Sequence, residues 1–140
     1  MISQGQCTVF KKNLLSGLED FQQPSPFIYK IALYTSNATL DNTTTVYTTT
    51  GEVTGPGYTA GGLVLTNPTV GFDTSNNVAY VDFDNAVWAN SSLTARGALI
   101  YNSTTGAAVC VLDFGSDKSA SPFAVNFPNP TSTTAIIRLS

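Results

Sequence analysis

The pattern of apolar positions divides the chain into a helical start and a much longer extended part. In the first part, the apolar residues recur at helical spacing: Phe10, Leu14, Leu18 and Phe21. Thr8 is a suitable N-cap, and Pro24 and Pro26 cannot continue a helix, so the pattern predicts one helix over 8–21. This helix could dock on a partner or close one end of the domain's own core, and its single apolar stripe favours the second role.

From residue 27 onward, apolar and polar residues alternate in short runs separated by turn residues. The runs predict strands at 27–35, 60–66, 78–84, 93–101, 107–115, 123–127 and 134–139. The pentapeptide NSTTG between the fourth and fifth runs has the length and composition of a hairpin turn. Seven to eight short antiparallel strands in one domain over 1–140 are typical of an antiparallel β-sandwich.

The segment 36–62 interrupts this pattern. It is rich in Thr and Gly, lacks a steady apolar face, and contains a turn signal at Gly55-Pro56-Gly57. Two interpretations remain open. The segment could be an extended loop or hairpin that reaches a neighbouring subunit, or an insertion without stable structure.

The composition indicates a surface made of hydroxyls and amides instead of charges. Charged residues make up 11% of the chain, whereas Thr, Ser and Asn account for 44 of the 140 residues. Hydroxyls that find partners cost less to desolvate than charges, so such a surface suits packing against other copies or another protein shell. The net charge is −3 and the six basic residues are scattered, so we expect no nucleic-acid partner.

No run of apolar residues reaches the length of a membrane span, and the first fifteen residues lack the apolar core of a signal peptide. We therefore expect no membrane partner and synthesis in a cytoplasm. The two cysteines, Cys7 and Cys110, are expected to be free thiols, with Cys110 acting as a small apolar residue. A single disulfide between them is the alternative.

The chain has no histidine, which removes the commonest general base and most zinc sites. We expect no catalytic residue, no cofactor and no metal ligand set. The one cluster that could be catalytic lies in the stretch AYVDFDNAVW, where Asp82 and Asp84 would share one face of a strand.

Three readings of this carboxylate pair remain open. The two acids could serve as a glycosidase pair, or they could bind calcium together with Asn85. Alternatively, Asp82 and Asp84 line a solvated or interface face of the sheet, with Arg96 as their cross-strand partner. The third, structural reading is favoured, because nothing in the sequence marks a cleft or a general base.

Two aromatic residues complete the set of candidate interface residues. Trp88 would anchor the turn that follows the Asp82–Asp84 strand. Together with Tyr58 it could also stack on a sugar, which would make the chain a carbohydrate-binding module.

Several segments, taken in order, resemble a group of small structural proteins encoded by tailed bacteriophages. These segments are VFKKNLLSG, YKIALYTSNATL, TTTVYTTTGEVTGPGYTAGG, DFDNAVWANSSLTARGALIYN, VLDFGSDKSASPFAVNFP and AIIRLS. The resemblance implies a virion protein without catalytic activity, first of all a head decoration (cement) protein, with a tail or head-to-tail connector component as the alternative. The implied partners are the major capsid protein or another virion protein and further copies of the chain, by analogy as a homotrimer.

Overall fold

The strands form three antiparallel sheets in the computed structural model, which describes residues 1–140. The elements in chain order are β1 (Gly5–Gln6), α1 (Thr8–Leu15), β2 (Tyr29–Tyr34), β3 (Leu63–Val64), β4 (Thr69–Asp73), β5 (Val78–Asp82), β6 (Ala86–Trp88), β7 (Leu93–Asn102), β8 (Ala108–Ala120), β9 (Phe123–Val125) and β10 (Ile137–Leu139). A mainly β, antiparallel, sandwich-like fold with one short N-terminal helix is thus confirmed. It contains ten strands, against the seven to eight predicted.

The largest sheet has the strand order β1-β8-β7-β2-β3. Its middle strands β2 and β7 are buried along almost their whole length. The predicted hairpin joins β7 to β8, where Asn102 Oδ1 accepts hydrogen bonds from the backbone N–H groups of Thr104 and Thr105. Because β2 and β7 are buried, both faces of this sheet must be covered by other parts of the chain.

One face of the sheet is covered by the end of the helical segment and the smaller sheets. The pairing of β2 with β7 places Tyr29, Ile31 and Leu33 on this face. Phe21 stacks on Tyr29 with ring centres 4.3 Å apart and contacts Phe83, which follows β5, edge-on at 5.9 Å. The smaller sheets have the orders β10-β5-β4 and β6-β9, and side chains of all three sheets join one core of 31 buried residues.

The opposite face of the large sheet is covered by the Thr/Gly-rich segment 36–62. Tyr34 and Tyr101 lie on this face, where the Tyr34 hydroxyl donates to the Thr48 carbonyl at 2.6 Å and Tyr101 stacks on Tyr47. The Val53 N–H also donates to the Leu33 carbonyl at 2.9 Å. The segment is thus an extended loop that packs on the chain's own sheet, and not an insertion without stable structure.

The helix is shorter than predicted. It ends at Leu15, and Gly17 adopts a positive φ of 72°, which allows the Leu18 N–H to donate to the Asn13 carbonyl and turn the chain away. Phe10 and Phe21 are buried as the apolar stripe predicts, but Leu18 is 46% exposed. Thr8 is the first helical residue and not the cap, since Cys7 occupies the N-cap position.

Three strands escaped the sequence prediction: β1, β4 and β6. Each is short or contains a glycine, so the alternation is too brief to stand out from the turns beside it. Both cysteines are free thiols, as predicted, and Cys7 is buried as well as Cys110. Burial, together with the negative charge of Asp41, raises the pKa of the Cys7 thiol to about 11.

A glycine at the end of segment 36–62 permits its close approach to the large sheet. Gly62 has a φ of 81°, and a Cβ there would lie 1.8 Å from the Ile31 carbonyl oxygen. Gly62→Ala is therefore expected to lower the free energy of unfolding by more than about 2 kcal/mol, since backbone must move to make room. Urea denaturation measures the loss.

Gly17→Ala provides the matched control, because Gly17 also has a positive φ but a Cβ there would meet nothing within 4 Å. Only the cost of the left-handed backbone, about 1 kcal/mol, is expected at that position. Equal losses in the two variants would contradict the close packing of segment 36–62 on β2.

Candidate functional site

Asp82 and Asp84 do not form a pair in the structure. β5 ends at Asp82, and the Asp84 N–H donates to the Thr66 carbonyl at 3.0 Å, so the two side chains enter different environments. Asp84 is exposed and accepts a hydrogen bond from Asn67 Nδ2 at 2.5 Å. The prediction that both acids share one solvated face is wrong, because strand alternation stops between them.

Asp82 is the more unusual of the two acids, since it is only 2% exposed. Its Oδ1 accepts a hydrogen bond from the Phe83 N–H at 3.0 Å, whereas its Oδ2 is buried without a partner. Burial raises the pKa of this carboxyl, and the backbone N–H groups of Phe83 and Ile136 lower it to a smaller extent. Burial therefore makes the charged form of Asp82 less favourable than that of an exposed carboxyl group.

Arg96 is bound to a different acid from the one predicted. It lies on β7 in the large sheet, and its Nε contacts Asp113 Oδ1 at 3.0 Å, while Asp82 lies in the smaller sheet. The pairing of β7 with β8 is irregular at Arg96, because Ala95 pairs with Lys118 whereas Gly97 pairs with Asp113. The Arg96–Asp113 ion pair bridges this β-bulge.

Asp113 accepts a second hydrogen bond from the Gly115 N–H, and these two donors hold the pKa of the Asp113 carboxyl below its usual range. The predicted Asp82–Asp84–Arg96 charge arrangement is thus replaced by a local pair within one hairpin. A sequence pattern could not distinguish Asp113 from Asp82 as the partner, because the choice depends on which sheet each strand joins.

Trp88 and Tyr58 meet, but inside the protein. Trp88 is 2% exposed and lies between Tyr58 and Phe123, with both ring centres 6.1 Å away. The Ser91 hydroxyl donates to the Trp88 carbonyl and so closes the turn that follows β6. A buried indole cannot stack on a sugar, so the structure does not provide the carbohydrate platform that these two residues were predicted to form.

The sequence analysis missed a polar cluster centred on Glu52. Glu52 Oε1 accepts a hydrogen bond from the Tyr47 hydroxyl at 2.6 Å. Glu52 Oε2 accepts from the Tyr58 hydroxyl at 2.5 Å and from the Gly61 N–H at 2.8 Å. One carboxylate thereby joins three separate parts of segment 36–62. The available signal was an acid lying between two tyrosines, Tyr47 and Tyr58, in a segment with few charges.

The Glu52 cluster is also tied to the large sheet. The Tyr58 hydroxyl accepts a hydrogen bond from the Leu33 N–H at 2.9 Å, and the Tyr101 hydroxyl donates to the Gly61 carbonyl at 2.7 Å. Burial and then the hydrogen bond to Glu52 raise the pKa of Tyr47 and of Tyr58. These phenols remain hydrogen-bond donors throughout the physiological pH range, which fits a structural role.

A second polar cluster ties the end of the helical segment to the β7–β8 hairpin. Glu19 Oε1 accepts a hydrogen bond from Asn102 Nδ2 at 2.8 Å, and the Tyr29 hydroxyl lies 3.4 Å away. Burial raises the pKa of Glu19, while these two donors lower it. Sequence periodicity gave no warning of this contact between residues 83 positions apart.

The surface of the small β10-β5-β4 sheet carries a row of apolar side chains across its strands. Phe72 on β4 pairs with Ala79 on β5, which pairs with Leu139 on β10. All three are exposed, and Phe72 most of all, at 77%. We call Val70, Phe72, Ala79 and Leu139 the apolar face of the small sheet.

No group of three or more His, Cys, Asp or Glu side chains is placed to hold a metal ion. None of the helices has the length and apolar character needed to span a membrane. Comparison of the chain with protein-family models, with curated protein sequences and with solved structures finds no significant match.

The buried carboxyl of Asp82 makes stability depend on pH. Its pKa is raised in the folded protein, so its contribution to stability is full below the pKa of the unfolded chain and is lost as the pH rises through the folded pKa. Asp82→Asn removes the buried charge and is expected to stabilise the protein at pH 7.5 by about 1 kcal/mol. This advantage should shrink as the pH falls toward about 4.

Asp84→Asn is the matched control. Because Asp84 is exposed, this substitution should leave the free energy of unfolding within about 0.5 kcal/mol of the wild-type value. Urea denaturation at several pH values makes the comparison. A destabilised Asp82→Asn variant at pH 7.5 would show that the carboxylate is needed in its charged form.

Proposed function

We propose that the chain is a non-catalytic structural protein of a tailed-bacteriophage virion. In its most specific form, the proposal is a head decoration protein that binds the assembled capsid and stabilises it. Its partners would then be the major capsid protein or another virion protein, together with further copies of the chain. The protein would be made in the host cytoplasm and carried on the particle.

The observation that carries this proposal is the nature of the surface. Ten large apolar side chains are exposed, and they lie on several faces: Met1, Leu15, Leu18, Ile28, Val46, Val64, Val70, Phe72, Val87 and Leu139. Single exposed apolar residues are common, but here they accompany a charged fraction of only 11%. Such a surface fits a subunit that meets several protein neighbours, as a component of a lattice does.

The internal use of the acids supports the same proposal. Glu19 and Glu52 are engaged in holding the fold together, and Arg96 is paired with Asp113. These residues would stabilise the fold of a subunit that is incorporated into a particle. The ordered resemblance of six segments to phage structural proteins adds an independent reason for placing the subunit in a virion.

The test uses particles of the phage that encodes the chain, purified on a density gradient. Quantitative mass spectrometry is expected to find the protein in many copies per particle, at a constant ratio to the major capsid protein across the gradient peak. Immunogold labelling should then mark the heads. A host cytoplasmic protein, followed in the same fractions, controls for contamination.

Label on tails or at the head-to-tail junction would overturn the decoration role and leave the virion role standing. Absence of the protein from purified particles, or a ratio that follows the host contaminant, would overturn the proposal as a whole.

A further inference from the structure

Strand β4 is a free edge of the small sheet. It pairs with β5 on one side, and no strand pairs with its other side. Its sequence is Thr-Val-Gly-Phe-Asp, so four of its five residues are uncharged and two are exposed apolar side chains, Val70 and Phe72. An unpaired edge with these properties is a template for pairing with another strand.

The apolar face of the small sheet leads from the core to this edge. The register pairs Val70 with Val81 and Val81 with Ile137, and the last two are buried. The next row, from Leu139 through Ala79 to Phe72, is exposed. The apolar surface therefore extends from the buried row to the exposed row at the β4 edge, which the single chain leaves uncovered.

Two other sheet edges, on β8 and β10, are protected in ways that β4 is not. The part of β8 that extends beyond its contact with β1 carries Asp117 and Lys118. The free side of β10 is tied back to the chain, since Gln6 Nε2 donates to the Arg138 carbonyl at 2.8 Å. Charges and covering segments are the usual defences of sheet edges.

We propose that β4 pairs with β4 of a second copy of this chain, antiparallel and about a two-fold axis at Gly71. In this register Val70 of each copy lies opposite Phe72 of the other, and Thr69 lies opposite Asp73. Among antiparallel two-fold registers, the one centred on Gly71 pairs all five residues of the strand. No carboxylate faces another carboxylate, and a hydroxyl donor faces each Asp73.

The self-complementarity of β4 points to a second copy as the occupant. The contact is the same patch on both copies, so it closes on itself and yields a dimer, not a fibre. Pro68 stands just before β4, and Asp73 begins the turn to β5 by accepting hydrogen bonds from the N–H groups of Ser75 and Asn76. The pairing is therefore limited to the five residues of β4.

The centre of the proposed contact is prepared for close approach. Gly71 has no side chain, and the Tyr80 ring covers it from the face opposite Val70 and Phe72, since a Cβ on Gly71 would lie 2.5 Å from Tyr80 Cζ. Two copies of Gly71 can thus meet at the axis with an aromatic ring over each, a device that supports glycine in β-sheets. This contact does not depend on the virion assignment.

The first test is the mass of the purified chain in solution, by sedimentation equilibrium. The wild type is expected to form dimers of the 14.8 kDa chain as its concentration is raised to about 0.5 mM. Phe72→Lys should weaken dimerisation at least about tenfold, because a charge would be buried at the contact. Circular dichroism should show that this variant is folded, because Phe72 is 77% exposed in the single chain.

Val64→Lys is the matched control. Val64 is an exposed apolar residue on β3, the edge strand of the large sheet, and its replacement should leave the dimer unchanged. A wild type that stays monomeric at about 0.5 mM would overturn the proposal. So would an oligomer that Phe72→Lys and Val64→Lys affect equally.

A cross-linking experiment tests the register itself. Residues directly opposite each other in antiparallel strands lie about 4.5–5.5 Å apart between Cα atoms, within the range of a disulfide. Val70→Cys mixed with Phe72→Cys should therefore form a covalent dimer on mild oxidation. Each variant alone should cross-link much less, and the native Cys7 and Cys110 are buried and do not compete.

A mixture that cross-links no better than either variant alone would overturn the Gly71-centred register. If the virion test fails while the β4 dimer forms, the self-contact stands without the proposed function. If the protein is found on heads but β4 does not pair, the proposed function stands without the self-contact.

Discussion

The structure depends on one constraint, which is that strands β2 and β7 are buried on both faces over most of their length. Such strands cannot leave either face in water, so each face needs a cover from elsewhere in the chain. The end of the helical segment and the small sheets cover one face through Phe21 and Phe83. Segment 36–62 covers the other through Tyr34, Tyr47 and Tyr101.

A chain with few charges uses several of them to hold these covers in place. Glu52 joins three parts of segment 36–62, Glu19 joins the helical segment to Asn102, and the Arg96–Asp113 pair bridges the bulge in the β7–β8 hairpin. Hydrogen bonds to ionised groups are stronger than neutral ones, so a single carboxylate can organise a segment that has little apolar surface of its own. The outer surface is left to hydroxyls, amides and exposed apolar side chains, which suits the proposed role as an assembly subunit.

The sequence predicted the fold class, the hairpin at 102–106 and the free cysteines, because each depends on local pattern or local chemistry. It failed where the outcome depends on distant contacts. The predicted partner of Arg96 was wrong, because whether Asp82 or Asp113 lies beside it depends on which sheet each strand joins. The Thr/Gly-rich segment gave no local sign of order, since Glu52, Leu33 and Tyr101 stabilise it from widely separated positions. The apolar face at Phe72 was missed because β4, which is short and contains Gly71, was not predicted as a strand.

The central claim is that the Glu52 carboxylate holds the cover formed by segment 36–62 on the large sheet. Amide hydrogen exchange in Glu52→Ala, followed by NMR, tests it most directly. The account predicts that the amides of Tyr47, Val53 and Gly61, which are hydrogen-bonded in the wild type, exchange at least about tenfold faster, while those of β7 remain protected. Unchanged protection of these three amides in a folded Glu52→Ala variant would contradict the account.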